Sequence, residues 1–499
     1  MNLFDLDAPI IQFASDGESD AWTLRHAVEG VQIFGGIGSG KTSGSGRMLA
    51  LKYLSNDFGG LVLTVKPDEK EVWQEYCRVT GREKDLIVIE PGGKYNFNFL
   101  EYETNHHGRE SLTDNLVDLL KTVIRAGEQK DSGKSDDAFW ETALDILIFN
   151  VIDLCKLAYG KVSAQSMYDI VQTIPKADEK LNGKEIKPFQ QAFEEAVKNI
   201  KQQLDNWFDI LDESEKERLK KDVVAYEMTV SEAVPDERLL HFLDQFFFDS
   251  FKNLSEKTRS IIDFIFTGFL FRLLREPVYT LFCKNSSNVK PEDCMDGKII
   301  LINLPVKLYH KVGRDCQILF KYIWQQAMEK RDIRKNPRPV FLFADEAQHF
   351  LHEHDAIYQA TARSSGISTV YITQNLPNYY AAMGGAKSDH RVKSFLGTLG
   401  TKIFHANADI ETNKYASELI GDTDKTNPSF QVTVGNESFS QSKTISLINE
   451  RRVKPEQFVK LKTGGPFNNY IVEGYLHRQG DALFQGQNHT RTTFNQKRR

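Results

Sequence analysis

Gly35-Gly36-Ile37-Gly38-Ser39-Gly40-Lys41-Thr42-Ser43 is the stretch on which the reading of this chain turns. A glycine, four residues, then Gly-Lys-Thr is the pattern of a loop that wraps a phosphate. Its surroundings suit that task. Val31 to Phe34 reads as a short buried strand, and Ser43 to Asn56 continues as a helix through Met48, Leu49, Leu51 and Leu54. Glycines let successive backbone N–H groups converge on one anion, and the helix N-terminus adds partial positive charge. In that pattern Lys41 reaches the β- and γ-phosphates and the Thr42 hydroxyl ligates magnesium. The residues therefore predict a nucleoside triphosphate site, with ATP and Mg2+ as the expected ligands.

Working outward, strands and helices alternate on both sides of a long interruption. Leu61 to Val65 and Leu86 to Ile89 are two further apolar runs, and residues 8–30 read as a strand pair turning at Asp16-Gly17. The pattern resumes with strands at Lys298 to Leu304, Pro339 to Ala344, Ile367 to Thr373 and Thr401 to His405, separated by helical segments. That alternation predicts a mostly parallel sheet covered on both faces. Asp409 to Ile420 reads as a helix stopped by Gly421, and Phe430 to Ser442 as a hairpin turning at Gly435-Asn436.

Between the two halves the texture is helical. Phe139, Trp140, Leu144, Ile148, Val151, Ile152 and Cys155 recur at helical spacing. Leu239, Leu240, Phe242, Leu243, Phe246 and Phe247 form a second apolar stripe expected in a core, and Arg125 to Asp137 reads as a loop. The expected organisation is a nucleotide-binding unit in two pieces, 1–104 and 286–485, interrupted by an all-α insertion, 105–285. Residues 486–499, rich in Asn, Gln and Arg, read as a disordered tail.

The 499 residues are 40% hydrophobic and 26% charged, with a net charge of −6. That balance describes an ordinary globular protein without a generally basic surface; a basic channel or face remains compatible with it. Five cysteines without a Cys-x-x-Cys pair argue for a reducing compartment and against a disulfide framework or zinc knuckle. Residues 1–17 lack the basic start of a signal peptide, and Ile261 to Leu274, the most apolar long run, is broken by Asp263 and Arg272.

Val340 to Ala344 delivers Asp345 and Glu346 at the C-terminal end of a strand, the end that faces the ligand crevice of a parallel sheet. Asp345 is expected to hold the magnesium shell, and Glu346 to orient or deprotonate the attacking water. Gln374 ends the next strand, where an amide can bond both γ-phosphate and water. Glu346-x-x-His349, with His352 and His354, has a metal-like spacing but no second copy, and reads as a polar loop.

The pattern resembles the type IV coupling proteins of conjugation and type IV secretion, within the HerA/FtsK class of hexameric DNA motors. The resemblance is carried by residues 35–42, Val-Lys-Pro-Asp-Glu (65–69), Lys-Thr-Arg-Ser-Ile-Ile (257–262) and Gly-Lys-Ile-Ile-Leu-Ile-Asn-Leu-Pro (297–305). It continues through Phe-Ala-Asp-Glu-Ala (343–347), Ala-Arg-Ser-Ser-Gly-Ile (362–367), Thr-Gln-Asn (373–375) and Glu-Thr-Asn-Lys-Tyr-Ala-Ser-Glu-Leu-Ile-Gly (411–421). It implies a RecA-like ATPase interrupted by an all-α domain, with Lys41 and Thr42 on the triphosphate and magnesium. Asp345 and Glu346 become the hydrolytic acids, Gln374 the sensor and Arg363 an arginine finger given to the neighbouring subunit. It also implies a hexamer that moves DNA through a central channel, with a relaxase or type IV secretion components as partners. Family members usually begin with transmembrane helices, whereas this sequence opens almost directly on the nucleotide-binding unit. The expectation is thus a cytoplasmic protein, peripheral at the inner membrane through an anchoring partner. A DNA motor of repair, defence or mobile-element maintenance, and an ATPase that recruits protein substrates, remain alternatives.

Overall fold

A computed structural model describes residues 5–15, 18–106, 113–127, 137–176, 186–284, 286–352, 354–384, 388–434, 439–480 and 486–497. The turns expected at Asp16-Gly17 and Gly435-Asn436, and residues 128–136 of the expected loop, lie outside them. The chain divides into two compact units. Unit one comprises Met1–Ile87, Pro291–Leu308 and Trp324–Arg499; unit two comprises Val88–Lys290 and Tyr309–Ile323.

The strands in chain order are β1 (Pro9–Ser15), β2 (Glu18–Thr23), β3 (Val31–Phe34), β4 (Gly59–Leu63), β5 (Leu86–Ile89) and β6 (Ile299–Ile302). They continue with β7 (Val340–Ala344), β8 (Ile367–Thr373), β9 (Thr401–His405), β10 (Asp422–Val434), β11 (Phe439–Arg451), β12 (Ile471–Arg478) and β13 (His489–Asn495). Nine form one sheet in the order β13-β12-β9-β3-β8-β7-β4-β6-β5. From β9 through β3, β8, β7 and β4 to β6, neighbours run parallel; β12 pairs antiparallel with both β9 and β13. The fold is thus mixed α/β with a mostly parallel central sheet.

The apolar runs behave as fully buried strands must. Every residue of β3, β4, β6, β7, β8 and β9 is buried. Tyr53 stacks on Phe58 and Phe341, and Phe341 in turn on Trp73, building an aromatic layer against the sheet face. Trp22, taken inside, keeps its polar atom satisfied by donating its indole N–H to Thr401 Oγ1 at 3.1 Å.

Three expectations in unit one need correction. The tail forms β13, because His489 to Phe494 carries threonines and an aromatic at period two, with Phe494 turned inward and buried. The Asn/Gln/Arg composition hid that alternation. The hairpin is much longer than Phe430 to Ser442: β10 and β11 pair over thirteen positions, from Asp422↔Arg451 to Val434↔Phe439. Lys425–Glu450 and Arg451–Asp422 ion pairs help extend it toward its base. The helix after the phosphate loop starts not as an α-helix but as a π-helical turn, Thr42–Gly46, before Arg47–Ser55.

Unit two is helical through most of its length, including Thr113–Gly127, Asp137–Tyr159, Ala164–Thr173, Pro188–Asp209 and Glu256–Leu273. Leu144, Ile148, Val151, Ile152 and Cys155 are buried; the side chains of Phe139 and Trp140 lie outside the description. In the second expected stripe only Leu243 and Phe247 are buried, four residues apart, while Phe242 is 53% exposed. One narrow line of that helix packs, so most of its apolar residues sit at the margin or in solvent. The limits of unit two, 88 and 290 with the added segment 309–323, differ from the expected 105 and 285. Among the described residues no helix is long and apolar enough to cross a membrane, and all five cysteines are buried thiols.

Candidate functional site

The ends of four adjacent strands, β3, β8, β7 and β4, bring the expected residues of unit one together. Phe34 pairs with Thr373, Ala344 with Tyr371 and Leu63 with Ala344, so all four strands finish on one side of the sheet. The phosphate loop leaves β3 there. Gly36 N–H bonds Ala406 O at 2.8 Å, and Gly38 and Gly40 take φ of +71° and +82°. At Gly40 a side chain is excluded twice over: by that φ, and by Val472 Cγ2 2.4 Å from where a Cβ would sit. Five residues from Lys41, Gly46 N–H returns to Lys41 O at 2.9 Å, closing the π turn.

Across the crevice the two acids are held in different ways. Asp345 Oδ2 accepts the Thr42 hydroxyl at 3.0 Å and lies 2.8 Å from Lys66 Nζ. Its other oxygen, Oδ1, accepts Glu346 N–H at 3.0 Å. Glu346 sits in the left-handed region at φ +51°, ψ +50°, a conformation that costs a non-glycine residue about 1–2 kcal/mol and clusters at functional sites. Its carboxylate lies 3.5 Å from Lys41 Nζ, accepts Gln348 Nε2 at 2.9 Å and has Gln374 Nε2 3.4 Å from each oxygen. Burial pushes the Glu346 carboxyl up, but the Gln348 bond, the Lys41 ammonium and Gln374 outweigh it and hold the carboxyl below its ordinary value.

The amides are themselves braced. Gln348 Oε1 accepts the Thr373 hydroxyl at 2.8 Å, Gln374 O accepts Asn407 Nδ2 at 2.7 Å, and Asn413 Nδ2 reaches Asn407 O at 2.9 Å. Behind the loop, His405 donates from Nδ1 to Glu473 O at 2.8 Å. Its Nε2 therefore accepts from Ser45 Oγ, 2.7 Å away. Burial, with the nearby Lys41 charge, drives the His405 pKa down to about 4, so the ring is neutral. Gln496 Nε2 donates to Ser43 Oγ at 2.6 Å, tying β13 to the loop.

The chemistry suits a nucleotide with magnesium. The donor set is Thr42 Oγ1 beside Asp345 Oδ2, an ammonium already stands against that carboxylate, and glycine-rich backbone lies open in front of a buried lysine. Ile37, at the loop tip, is 90% exposed, as a residue contributing only its N–H would be. Among the described residues no group of three or more His, Cys, Asp and Glu side chains is arranged to hold a metal ion.

Arg363 is elsewhere. It follows the helix Asp355–Ala362 and precedes Ile367, at the opposite end of β8 from Gln374; seven residues of strand span about 20 Å. Its guanidinium is about half exposed and pairs with Glu29 at 3.4 Å. Lys66, Glu69, Gln348, His405, Asn407 and Gln496 were missed as site residues. For Lys66 the signal was present, since it lies just past the end of an apolar strand, where ligand residues collect.

Residues 339–462 match the family described as the TraM recognition site of TraD and TraG. The bacterial conjugative coupling protein TrwBdeltaN70 is similar in structure, with TM-score 0.61 at 12% identity over 98% of this chain and 89% of that one. TrwB in complex with the non-hydrolysable GTP analogue GDPNP gives 0.58 at 13% over 96% and 88%. TrwB in complex with ADP and Mg2+ gives 0.57 at 12% over 96% and 87%. No curated protein sequence matches the chain.

Proposed function

We propose that this chain, which carries a TraG/TraD coupling-protein segment over residues 339–462 within a TrwB-like fold, is an ATPase that works as a hexameric ring and moves DNA through a central channel toward a transfer apparatus. The observation that carries the ATPase reading is the meeting of Lys41, Thr42, Asp345, Glu346 and Gln374 at the ends of adjacent parallel strands. Lys41 neutralises the phosphates. Glu346, kept ionised by its neighbours, orients and deprotonates the attacking water. Gln374, fixed through Asn407, senses whether a γ-phosphate has drawn Glu346 and Lys41 apart. Gly35 to Ser43 would cradle the phosphates, and Thr42 and Asp345 would hold Mg2+, which would supply positive charge against the phosphoryl oxygens.

Arg363 supports the ring. At the far end of β8 it has no route to its own Lys41, yet a guanidinium supplied by a neighbour accelerates phosphoryl transfer by about 10³- to 10⁵-fold. Basic residues lining the channel would grip DNA phosphates without reading sequence. The relaxase and other conjugation components are the expected partners, in keeping with a segment described by TraM recognition. An anchoring partner would hold the cytoplasmic protein at the inner membrane.

ATP turnover measured against protein concentration, without DNA and with single or double strands, tests this reading. Turnover per subunit should rise as rings assemble and rise again with DNA. Arg363→Ala and Lys41→Ala should each be inactive, and mixing them should restore part of the activity. Concentration-independent turnover with an unimpaired Arg363→Ala protein overturns the ring mechanism; indifference to DNA favours a protein-recruiting ATPase.

A further inference from the structure

Two positive groups make claims on one carboxylate. Asp345 Oδ2 is the oxygen that Thr42 Oγ1 bonds at 3.0 Å, which marks it as the face turned to a divalent cation; the same oxygen holds Lys66 Nζ at 2.8 Å. Lys66 stands on neither the phosphate loop nor β7 but just past β4, with the ends of β7 and β8 between it and β3, from which the phosphate loop leaves. From there its ammonium feels Asp345, Glu69 and Glu346 together.

We propose that Lys66 is a built-in placeholder for Mg2+: its ammonium occupies the cation side of Asp345 when no nucleotide is bound and leaves when the metal arrives. This rests on the nucleotide-site reading above. A divalent ion brought to Oδ2 would lie within a few ångströms of a like charge that already saturates that oxygen, and the two cannot both be well bound there. The displacement is cheap because only the side chain moves. Buried Glu69 fixes the backbone below it, its Oε2 accepting Val65 N–H at 2.6 Å and Lys66 N–H at 3.2 Å. Above that anchor the Lys66 side chain is 30% exposed, while Asp345 is 6% exposed. The ammonium therefore has a way out to water and the carboxylate does not. Occupancy by Lys66 also keeps Asp345 from standing as an unpaired buried charge in the nucleotide-free site.

Competition of this kind is reciprocal. Titrating a fluorescent ADP derivative over a series of Mg2+ concentrations should show the half-saturating Mg2+ falling about tenfold in Lys66→Met, with Lys66→Arg staying near wild type. Mg2+ alone should raise the melting temperature of Lys66→Met and leave wild type unmoved. On the wild-type protein, acylation of Lys66 read by mass spectrometry should increase several-fold with ADP plus Mg2+ but not with ADP plus a chelator. Unchanged Mg2+ dependence in Lys66→Met, or Lys66 equally reactive in both ADP states, overturns the placeholder. If no protein binds ADP at all, the nucleotide reading fails instead, and the melting experiment with metal alone still decides Lys66.

Discussion

The crevice at the ends of β3, β8, β7 and β4 and the β10–β11 hairpin are opposites built from the same chain. In the crevice, Lys41, Asp345 and Glu346 are buried, the amides of Gln348 and Gln374 are half-buried, and each is held by a named neighbour. In the hairpin, register places Pro428, Phe430, Val432, Ile445 and Leu447 on one face, with Asn427, Ser429, Gln431, Ser442, Thr444 and Ser446 on the other. The apolar face is out in water, Phe430 at 62% and Leu447 at 71% exposure. The usual partition is inverted in both places. A two-stranded ribbon is marginal on its own, so its stability rests on thirteen paired positions and flanking ion pairs. The crevice rests on packing from every side. Position within the fold, not side-chain polarity, decides which groups carry stability here.

Four predictions test that contrast, from the largest effect to the smallest. In the crevice, Lys41→Ala should abolish hydrolysis and weaken nucleotide binding. Glu346→Gln should keep ATP binding while losing about 10²- to 10³-fold in turnover; near-normal turnover would remove Glu346 from the chemistry.

Gly40→Ala comes next. The added methyl meets both a positive φ and Val472, so the melting temperature and ADP affinity should both fall. Adding Val472→Ala should recover the steric part, leaving about 1–2 kcal/mol of backbone cost. A Gly40→Ala protein as stable as wild type would mean the loop is looser than described.

Third is a pH effect. His405 has its folded pKa lowered to about 4 from 6.5. Between those values the unfolded chain binds more protons, so the stabilisation is complete above pH 6.5 and is lost as pH falls toward about 4. The slope approaches 1.4 kcal/mol per pH unit. Urea melts of wild type and His405→Gln over that range should converge at low pH; parallel curves would assign the dependence to other groups.

The hairpin should respond least. Phe430→Ser and Leu447→Ser, remote from the crevice, should each change unfolding free energy by no more than about 0.5 kcal/mol. A larger loss in dilute solution would show that the apolar face is covered after all.

The same contrast explains what could be read in advance. The loop from Gly35 to Ser43 was legible because phosphate chemistry allows few sequences, and Asp345 and Glu346 because an apolar strand must end on them to place them. The buried strands announced themselves by unbroken apolar runs. The braces did not. Nothing local marks His405 as the acceptor for Ser45, 360 residues earlier, or Gln496 as the partner of Ser43. Those pairings exist only once the sheet order is known. The hairpin was read too short because polar and charged residues such as Asp422, Asp424, Lys425, Glu450 and Arg451 extend it past its apolar positions, and β13 was missed because a threonine alternation is a weaker signal than its polar composition.

The order of strands also has a consequence in time. Among the described residues β3, which carries the phosphate loop, pairs with β8 and β9 alone, so Val31 meets Val370 and Thr401. At bacterial and eukaryotic elongation rates of about 5–20 residues per second, roughly 20–60 s pass between synthesis of β3 and of β8. Throughout that interval a strand whose residues are all destined for the interior has no hydrogen-bonding neighbour. The helical segments emerging meanwhile make mostly local contacts and can fold first. Late in its birth, then, once Ile323 is made and before β8 follows, this molecule is a finished helical unit beside an unfinished nucleotide site, and its exposure to chaperones and proteases on the ribosome is set by the distance between its first strands and their partners.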